Sequence, residues 1–139
     1  MDNVKVLEGS EGIKAAYEMT LTAKSLDIVC LSSAYASVVG DYFDRDYAPK
    51  LFGSKTATRE ILPDTVANRQ DAKKKDGIKN QVRFITKNIP SESDYMLFGD
   101  TAILVSYDLN DPFAIVIKNR DIVSNLKSQF EALWRGLTE

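Results

Sequence analysis

The first candidates for chemistry in this sequence are three aspartates that lie close together: Asp41, Asp44 and Asp46. Carboxylates at this spacing can hold a metal ion or form an acid/base pair. On a helix Asp41 and Asp44 are near neighbours, whereas Asp46 is displaced from them. Most carboxylates in proteins lie at the surface, so a solvated acidic face is the favoured interpretation. The chain has no histidine and one cysteine, so we expect no metal site and no cofactor.

A thiol and two hydroxyls lie at the end of a predicted strand. Cys30 falls within an apolar run, which favours a buried structural thiol over a reactive one. Ser32 and Ser33 follow that run and precede a predicted helix, a place where hydroxyls and free N–H groups can bind phosphate. Serine is also a preferred helix cap. The chain has no glycine-rich phosphate-binding fingerprint, so capping is the favoured role.

The basic residues concentrate in one part of the chain. Asp71 and Asp76 interrupt this basic stretch, which favours a solvated face. An anionic ligand or a nucleic-acid backbone is the alternative partner. The net charge of −2 argues against a broad grip on nucleic acid, which needs a basic face. The stretch comprises Arg69, Lys73, Lys74, Lys75, Lys79 and Arg83.

Length and patterning predict a single domain over residues 1–139. The N-terminus lacks the basic start and apolar segment of a signal peptide. No apolar run approaches the roughly 20 residues that span a bilayer. We therefore expect a cytoplasmic protein without membrane association.

The elements that must position these residues are organised around residues 94–117, which contain the longest apolar runs. Three strands are predicted there, at residues 95–98, 101–107 and 113–117. Gly99 and Asp100 form a glycine-first pair that suits a two-residue hairpin turn. The runs are nearly continuous rather than alternating, so both faces of the sheet should be covered.

The N-terminal half alternates strands and helices. A strand at residues 4–7, a helix starting at an N-cap Ser10 and a strand at residues 26–31 suggest a parallel β-α-β unit. Residues 34–51 predict one helix with a weak spot at Gly40, an aromatic side facing the core, and Pro49 and Gly53 at its end.

The remaining elements follow from caps and periodicity. We predict a strand at residues 56–62, a polar helix capped by Asp64 that runs to about Lys75, a strand at 81–86 and a loop at 88–93. Asn119 is the predicted N-cap of the last helix. Its apolar stripe should pack on the sheet and comprises Ile122, Leu126, Phe130, Leu133, Trp134 and Leu137.

This layout resembles the phospholipase D-like domain that follows the winged-helix reader in TrmB-type transcriptional regulators. The likeness rests on residues 7–21, on Q-V-R-F-I at 81–85 with M-L-F-G-D-T-A-I-L at 96–104, and on residues 115–122 with F-E-A-L-W at 130–134. It covers nearly the whole chain, and the order and spacing of the stretches carry it. The resemblance implies an α/β fold, a phospholipase D-like half-unit whose mixed sheet has helices on both faces.

Catalytic members of that superfamily carry H-x-K-x-x-x-x-D, with a histidine nucleophile and a phosphate-holding lysine. Aligning on Asp100 puts Ser93 where the histidine would be and Tyr95 where the lysine would be. Ser93 has no histidine to activate it, and Tyr95 lacks the fixed positive charge that holds phosphate. We therefore expect no enzyme activity. Ser93, Tyr95, Asp100 and Asn119 are the candidate ligand-binding residues, although the place of Asp100 directly after Gly99 favours a role in the turn.

The resemblance implies a regulatory domain that senses a small ligand, sugar-like or anionic, and forms a homodimer. We expect no direct contact between this domain and DNA. The sequence departs from the regulators it resembles because no helix-turn-helix reader precedes the domain, so either the reader belongs to a longer chain or the domain works alone. Two alternatives stay open. One is a divergent phosphodiesterase-type hydrolase that uses other groups, and the other is a pure dimerisation scaffold.

Overall fold

The computed structural model describes residues 3–86 and 91–137. Its centre is a seven-stranded mixed sheet in the order β1-β7-β6-β5-β2-β3-β4. The strands are β1 (Val4–Glu8), β2 (Ser25–Cys30), β3 (Ala57–Pro63), β4 (Asn80–Ile85), β5 (Ser93–Phe98), β6 (Thr101–Ser106) and β7 (Phe113–Lys118). The helices are α1 (Gly9–Thr20), α2 (Tyr35–Val39), α3 (Ala48–Gly53), α4 (Val66–Ala72) and α5 (Arg120–Arg135). Within the described part of the chain, no helix is both long and apolar enough to cross a membrane.

The sheet combines a parallel half with an antiparallel half. β2, β3 and β4 run parallel to one another, and β5 joins β2 to the antiparallel strands β6, β7 and β1. The predicted β-α-β unit is therefore correct in direction, because β1 and β2 point the same way. The two strands are not neighbours, since β5, β6 and β7 lie between them.

Helices cover both faces of the sheet, as the resemblance implies. On one face, Ile13, Ala16 and Tyr17 of α1 belong to a cluster with buried residues of β2, β5, β6 and β7. On the other face, Phe130 and Trp134 of α5 pack in a second cluster. In that helix Val123 is buried and Ile122 is 50% exposed, so the stripe predicted through Ile122 is wrong at its first position.

The predicted helix over residues 34–51 is broken. α2 ends at Gly40, whose φ of +64° is a left-handed conformation that suits glycine and interrupts a helix. The chain then resumes as a π-helical turn at Phe43–Tyr47 and continues as α3. Pro49 lies in the first turn of α3, so it starts this helix rather than ending it. The aromatic side does face the core, and Tyr47 is buried.

Local signals at the other termini had mixed outcomes. Gly99 has φ +53° and forms, with Asp100, the two-residue turn between β5 and β6. Asn119 is the N-cap of α5, and its side-chain oxygen accepts the Ile122 N–H at 2.9 Å. Thr65, not Asp64, caps α4. Ser10 lies inside the first turn of α1, whose N-cap is Glu8. The strand at 81–86 is confirmed as β4, whereas the loop predicted at 88–93 lies partly outside the described residues.

Candidate functional site

A cavity of about 590 Å³ lies at the carboxyl ends of the parallel strands β2 and β3. The segment that contains α2 and α3 forms one wall, and α4 forms the other. Ligands of open α/β sheets bind outside the carboxyl ends of the strands, because chain segments diverge there and leave a crevice. The cavity therefore occupies the place in the fold where a small ligand is expected.

A buried ion pair forms part of the cavity floor. Glu60 on β3 and Lys75, just beyond α4, are joined by an Oε1–Nζ distance of 2.5 Å, and both side chains are less than a tenth exposed. The Lys75 ammonium also lies 3.7 Å from Asp71 and 4.2 Å from the centre of the Phe52 ring. Burial raises the pKa of Glu60, and the charge of Lys75 opposes that rise. The pair ties the end of α4 to the sheet.

The end of β2 contributes a hydrogen-bond network built on Ser32. The Ser32 N–H donates to the Asp94 carboxylate at 3.3 Å, and the Ser32 hydroxyl donates to Glu92 at 2.6 Å. The same hydroxyl oxygen accepts the N–H of Ala34 at 2.8 Å. Ala34 is itself the N-cap of α2, so the prediction that serine caps this helix is wrong in detail. Ser32 instead organises the turn that leads into the helix.

Asp94 on β5 is a second perturbed carboxyl group near the cavity. It is buried, and burial raises its pKa to about 6, although hydrogen bonds from Tyr107, Cys30 and the Ser32 backbone oppose the rise. The predicted buried thiol, Cys30, is only partly buried and lines the cavity. Burial and the neighbouring Asp94 raise its pKa, which disfavours the reactive thiolate. Tyr107 is hydrogen-bonded in turn to Tyr17 of α1. Asp94 therefore links the cavity to the helical core.

The charges around the cavity nearly cancel. Its lining includes three carboxylates and two ammonium groups, so the wall carries a net charge of −1 when all are ionised. Two of the carboxylates, Glu60 and Asp71, already pair with Lys75. The remaining lining is aromatic, from Tyr35, Phe43 and Phe52, aliphatic, or neutral and polar. The aliphatic residues are Ala48, Pro49, Leu62 and Ala67. Such a wall suits a neutral, hydroxyl-bearing molecule better than a phosphate, which would require an excess of positive charge.

The structure does not gather the four predicted ligand-binding residues into one site. Ser93 begins β5 and Asp100 lies in the turn beyond its other end, so about 16 Å of strand separates them. Asn119 is next to Asp100, whose carbonyl oxygen accepts its N–H at 3.1 Å. Tyr95 packs on the face covered by α5, away from the cavity. Their role in ligand binding stays a prediction.

Sequence reasoning missed Asp94 because it followed the odd-numbered positions of β5. Side chains alternate between the two faces of a strand, so Ser93 and Tyr95 face one way and Asp94 the other. A usable signal was present in the sequence. Asp94 is the second residue of β5 and is followed by an apolar run, and a buried carboxylate in such a position needs partners.

The predicted acidic cluster and the predicted basic stretch do not form sites of their own in the described residues. Asp41 is exposed and pairs with Arg45 at 3.3 Å, whereas Asp44 lines the cavity. Much of the basic stretch makes internal contacts, since the Lys79 ammonium donates to the carbonyl oxygens of Phe52 and Thr56. The residues described include no group of three or more side chains placed to hold a metal ion.

No protein-family model matches the chain, and no curated protein sequence matches it either. Among solved structures, NucT from Helicobacter pylori is similar, with a TM-score of 0.71 and 11% identity over 97% of each chain. Nuc from Salmonella typhimurium, a phospholipase D family member, gives a TM-score of 0.59 and 13% identity over 97% of this chain and 95% of that one.

A third similar structure is that of TrmBL2, an archaeal chromatin protein reported to show a novel mode of DNA binding. Its TM-score is 0.65 and its identity is 15%, over 99% of this chain. The present chain spans about half the length of TrmBL2, since the match covers 54% of it. These likenesses confirm the expected fold: the chain is an α/β domain with a phospholipase D-like fold.

Proposed function

We propose that this domain is a non-catalytic sensor that binds a small, neutral, sugar-like molecule in the cavity at the carboxyl ends of β2 and β3. The observation that carries the proposal is the cavity itself, which is large enough for such a ligand and is lined by both aromatic and hydrogen-bonding groups. In this proposal the domain belongs to a cytoplasmic transcriptional regulator. Contact with DNA is left to other parts of that regulator.

The preference for a neutral ligand rests on the charge of the wall. A phosphate or phosphodiester would approach Asp44, Glu60 and Asp71, and the ammonium of Lys75 is already engaged by two of these carboxylates. Hydroxyl groups, in contrast, can donate to carboxylates, and the faces of aromatic rings can pack on the apolar side of a sugar. We therefore favour the sugar-like ligand over the anionic one.

Ligand binding has a direct route to the rest of the domain. The cavity lies between α4 and the α2–α3 segment, so a bound molecule would bridge two walls that are otherwise joined mainly through Lys75. A ligand that touches both walls would favour one relative arrangement of them over others. This is the change that a regulator could transmit.

The test combines native mass spectrometry of the purified protein with thermal melts. The melts use neutral mono- and disaccharides, inorganic phosphate and sugar phosphates. A saturating ligand should raise the melting temperature by about 5–10 °C. The Asp44→Ala variant should lose this shift, because Asp44 is an exposed residue of the cavity wall. The Asp46→Ala variant is the matched control, since Asp46 is also exposed but does not line the cavity. Stabilisation by phosphates alone, or equal losses in the two variants, would contradict the proposal.

Self-association is the second part of the proposal, and exposed apolar residues on the open edge of the sheet support it. Val4 and Val6 of β1 are 52% and 56% exposed, although valine is a residue that strands normally bury. We expect a symmetric homodimer that covers them. Light scattering at tens of micromolar should report a dimer for the wild type and a monomer for Val6→Glu. Val66→Glu, at a valine on α4 that is 75% exposed, is the control and should remain dimeric.

Phosphodiester hydrolysis is the alternative function that has to be tested. The pKa of Asp94, beside the cavity, is raised to about 6. Two of the similar structures are NucT and Nuc, and Nuc is a phospholipase D family member. A carboxyl group that titrates there could act as an acid or base near neutral pH. The assay is hydrolysis of bis(p-nitrophenyl) phosphate. We expect no turnover above background. Turnover that disappears in both Asp94→Asn and Asp100→Asn, while neither variant melts below the wild type, would establish the hydrolase instead.

A further inference from the structure

We propose that the outer edge of β4 binds an extended, acidic peptide segment of a partner protein, which adds a strand to the sheet. β4 is the last strand of the sheet and pairs only with β3 among the described residues. Binding by strand addition requires free backbone groups along such an edge, and a groove beside it that accepts alternate side chains. The edge of β4 has both, and this site is separate from the ligand cavity.

The register of β4 identifies the free backbone groups. The carbonyl oxygens of Lys79 and Ile85 accept hydrogen bonds from β3 and the residue after it, at 2.8 and 3.0 Å. The backbone groups of alternate residues point to opposite edges of a strand. The N–H and C=O groups of the even-numbered residues of β4 therefore point away from β3, toward the free edge of the sheet. Of these, Asn80 is bonded locally: its N–H donates to Asp76 at 2.9 Å, and its carbonyl oxygen accepts the Gly77 N–H at 3.2 Å.

Besides Asn80, the residues of β4 whose backbone N–H and C=O groups point to the free edge are Val82 and Phe84. Within residues 3–86 and 91–137, no strand pairs with them on this side. Their N–H and C=O groups are spaced to accept one short extended segment. The same two residues line a groove of about 270 Å³ that runs between the strand edge and α4.

The groove is apolar at its base and basic at its rim. Val82, Phe84 and Ala72 supply apolar surface, and the exposed Lys73 supplies positive charge. Arg69 lies on the same rim, where its guanidinium pairs with Asp64 at 2.6 Å. The Arg69 guanidinium lies 4.3 Å from the centre of the Phe84 ring. Among the described residues that line the groove there is no carboxylate, in contrast to the ligand cavity on the other side of α4. An extended segment that alternates acidic and apolar residues matches this pattern.

A second copy of this chain matches the edge poorly. Pairing two β4 edges would bring the exposed Lys73 of each copy to one seam, and like charges brought together across an interface are destabilising. Charge complementarity therefore favours a partner of opposite charge over self-pairing through this edge.

The test uses a fluorescent, N-acetylated peptide of roughly eight residues that alternates glutamate with valine or isoleucine. Its control has lysine at every glutamate position. Fluorescence anisotropy should show saturable binding of the acidic peptide below about 1 mM and none of the basic one. In amide NMR spectra, the largest shifts should fall on Val82 and Phe84.

Two variants separate the backbone contribution from the charge contribution. Val82→Pro removes an outward N–H without removing a bond to β3, and it should weaken binding about fivefold. Lys73→Glu reverses a charge on the rim of the groove and should weaken peptide binding by at least about fivefold. Lys118→Glu, at an exposed lysine at the end of β7, is the charge-matched control and should bind as the wild type does.

Three results with the peptide would overturn the proposal. They are equal binding of the acidic and basic peptides, binding that neither Val82→Pro nor Lys73→Glu weakens while both keep the wild-type melting temperature, and amide shifts confined to another surface. A change in subunit count caused by Val82→Pro without peptide would also overturn it, because that would make the edge an interface between copies of this chain.

Discussion

The buried pair of Glu60 and Lys75 gives the sharpest prediction about the cavity. Replacing Lys75 by methionine keeps the length and apolar character of the stem but removes its charge. Glu60 would then be a buried carboxylate without its partner at 2.5 Å. Breaking a buried pair in this way costs about 3–5 kcal/mol, which is a large fraction of the stability of a typical domain.

The pH dependence of that cost follows from the sign of the pKa shift. Burial raises the pKa of Glu60 in the folded protein. The folded state then holds a proton that the unfolded state releases, so stability falls as pH rises from the ordinary glutamate pKa to the folded value. Removing Lys75 removes an interaction that lowers this pKa, so the fall becomes steeper and extends to higher pH. We expect Lys75→Met to be strongly destabilised at pH 8 and less so at pH 5, by about 1.4 kcal/mol for each unit of pKa shift across that window.

The assay is urea denaturation at both pH values, followed by the fluorescence of Trp134, which is the single tryptophan of the chain. Lys74→Met is the matched control, because Lys74 is an exposed lysine of the same cavity wall. The double variant Glu60→Gln with Lys75→Met should recover most of the loss, since no unpaired charge remains. A loss below about 1 kcal/mol at pH 8, with no dependence on pH, would show that water screens the pair and would refute the reasoning.

Three further variants test other contacts. Gly12→Ala should destabilise the fold by about 1–3 kcal/mol in urea denaturation, because a Cβ at this position would lie 2.4 Å from the carbonyl carbon of Leu7. The control is Gly53→Ala, where nothing lies within 4 Å of the added Cβ, and this variant should be neutral or stabilising. The raised pKa of Asp94 should make the free energy of unfolding of the wild type fall by about 3 kcal/mol as pH rises from about 4 to 6. Asp94→Asn should remove most of this fall. If the variant shows the same dependence of stability on pH as the wild type, Asp94 is solvated. Arg59 lies over the Trp134 ring and donates a hydrogen bond to Asp27 at 2.9 Å. Arg59→Met should therefore lower the free energy of unfolding by about 1–3 kcal/mol and alter the fluorescence of Trp134. Unaltered emission would contradict the contact with Trp134.

Features set by a few neighbouring residues were predictable from the sequence. The turn at Gly99 and Asp100 follows from a glycine between two apolar runs, and the cap at Asn119 follows from an asparagine before an amphipathic stripe. Both depend on contacts within four residues. The break at Gly40 is less predictable, because a glycine inside a helical pattern can remain helical when packing favours it, and here packing of Tyr47 and Leu51 is satisfied by the broken arrangement instead.

Features set by distant pairing were not predictable. Hydrophobic periodicity gives each strand but not its neighbour, so nothing in the sequence places β5 beside β2 or separates β1 from β2. The cavity depends on that order. Its wall combines Ser32 from the end of β2, Glu60 from β3 and Lys75 from the region after α4. The pairing of Glu60 with Lys75, like the placement of Asp94, becomes visible only when the order of the strands is known.

The mixed topology also explains why the candidate site lies where it does. β5 enters the sheet antiparallel to β2, so its first residues lie beside the carboxyl end of β2. This places Asp94 opposite Cys30 in register and within reach of the Ser32 N–H. A parallel strand in that place would bring its carboxyl end there instead. The first residues of β5 therefore act on the same edge of the sheet as the ends of β2 and β3. Ser32 lines the cavity and donates its N–H to Asp94, so a single serine contacts both the cavity and the perturbed carboxyl group.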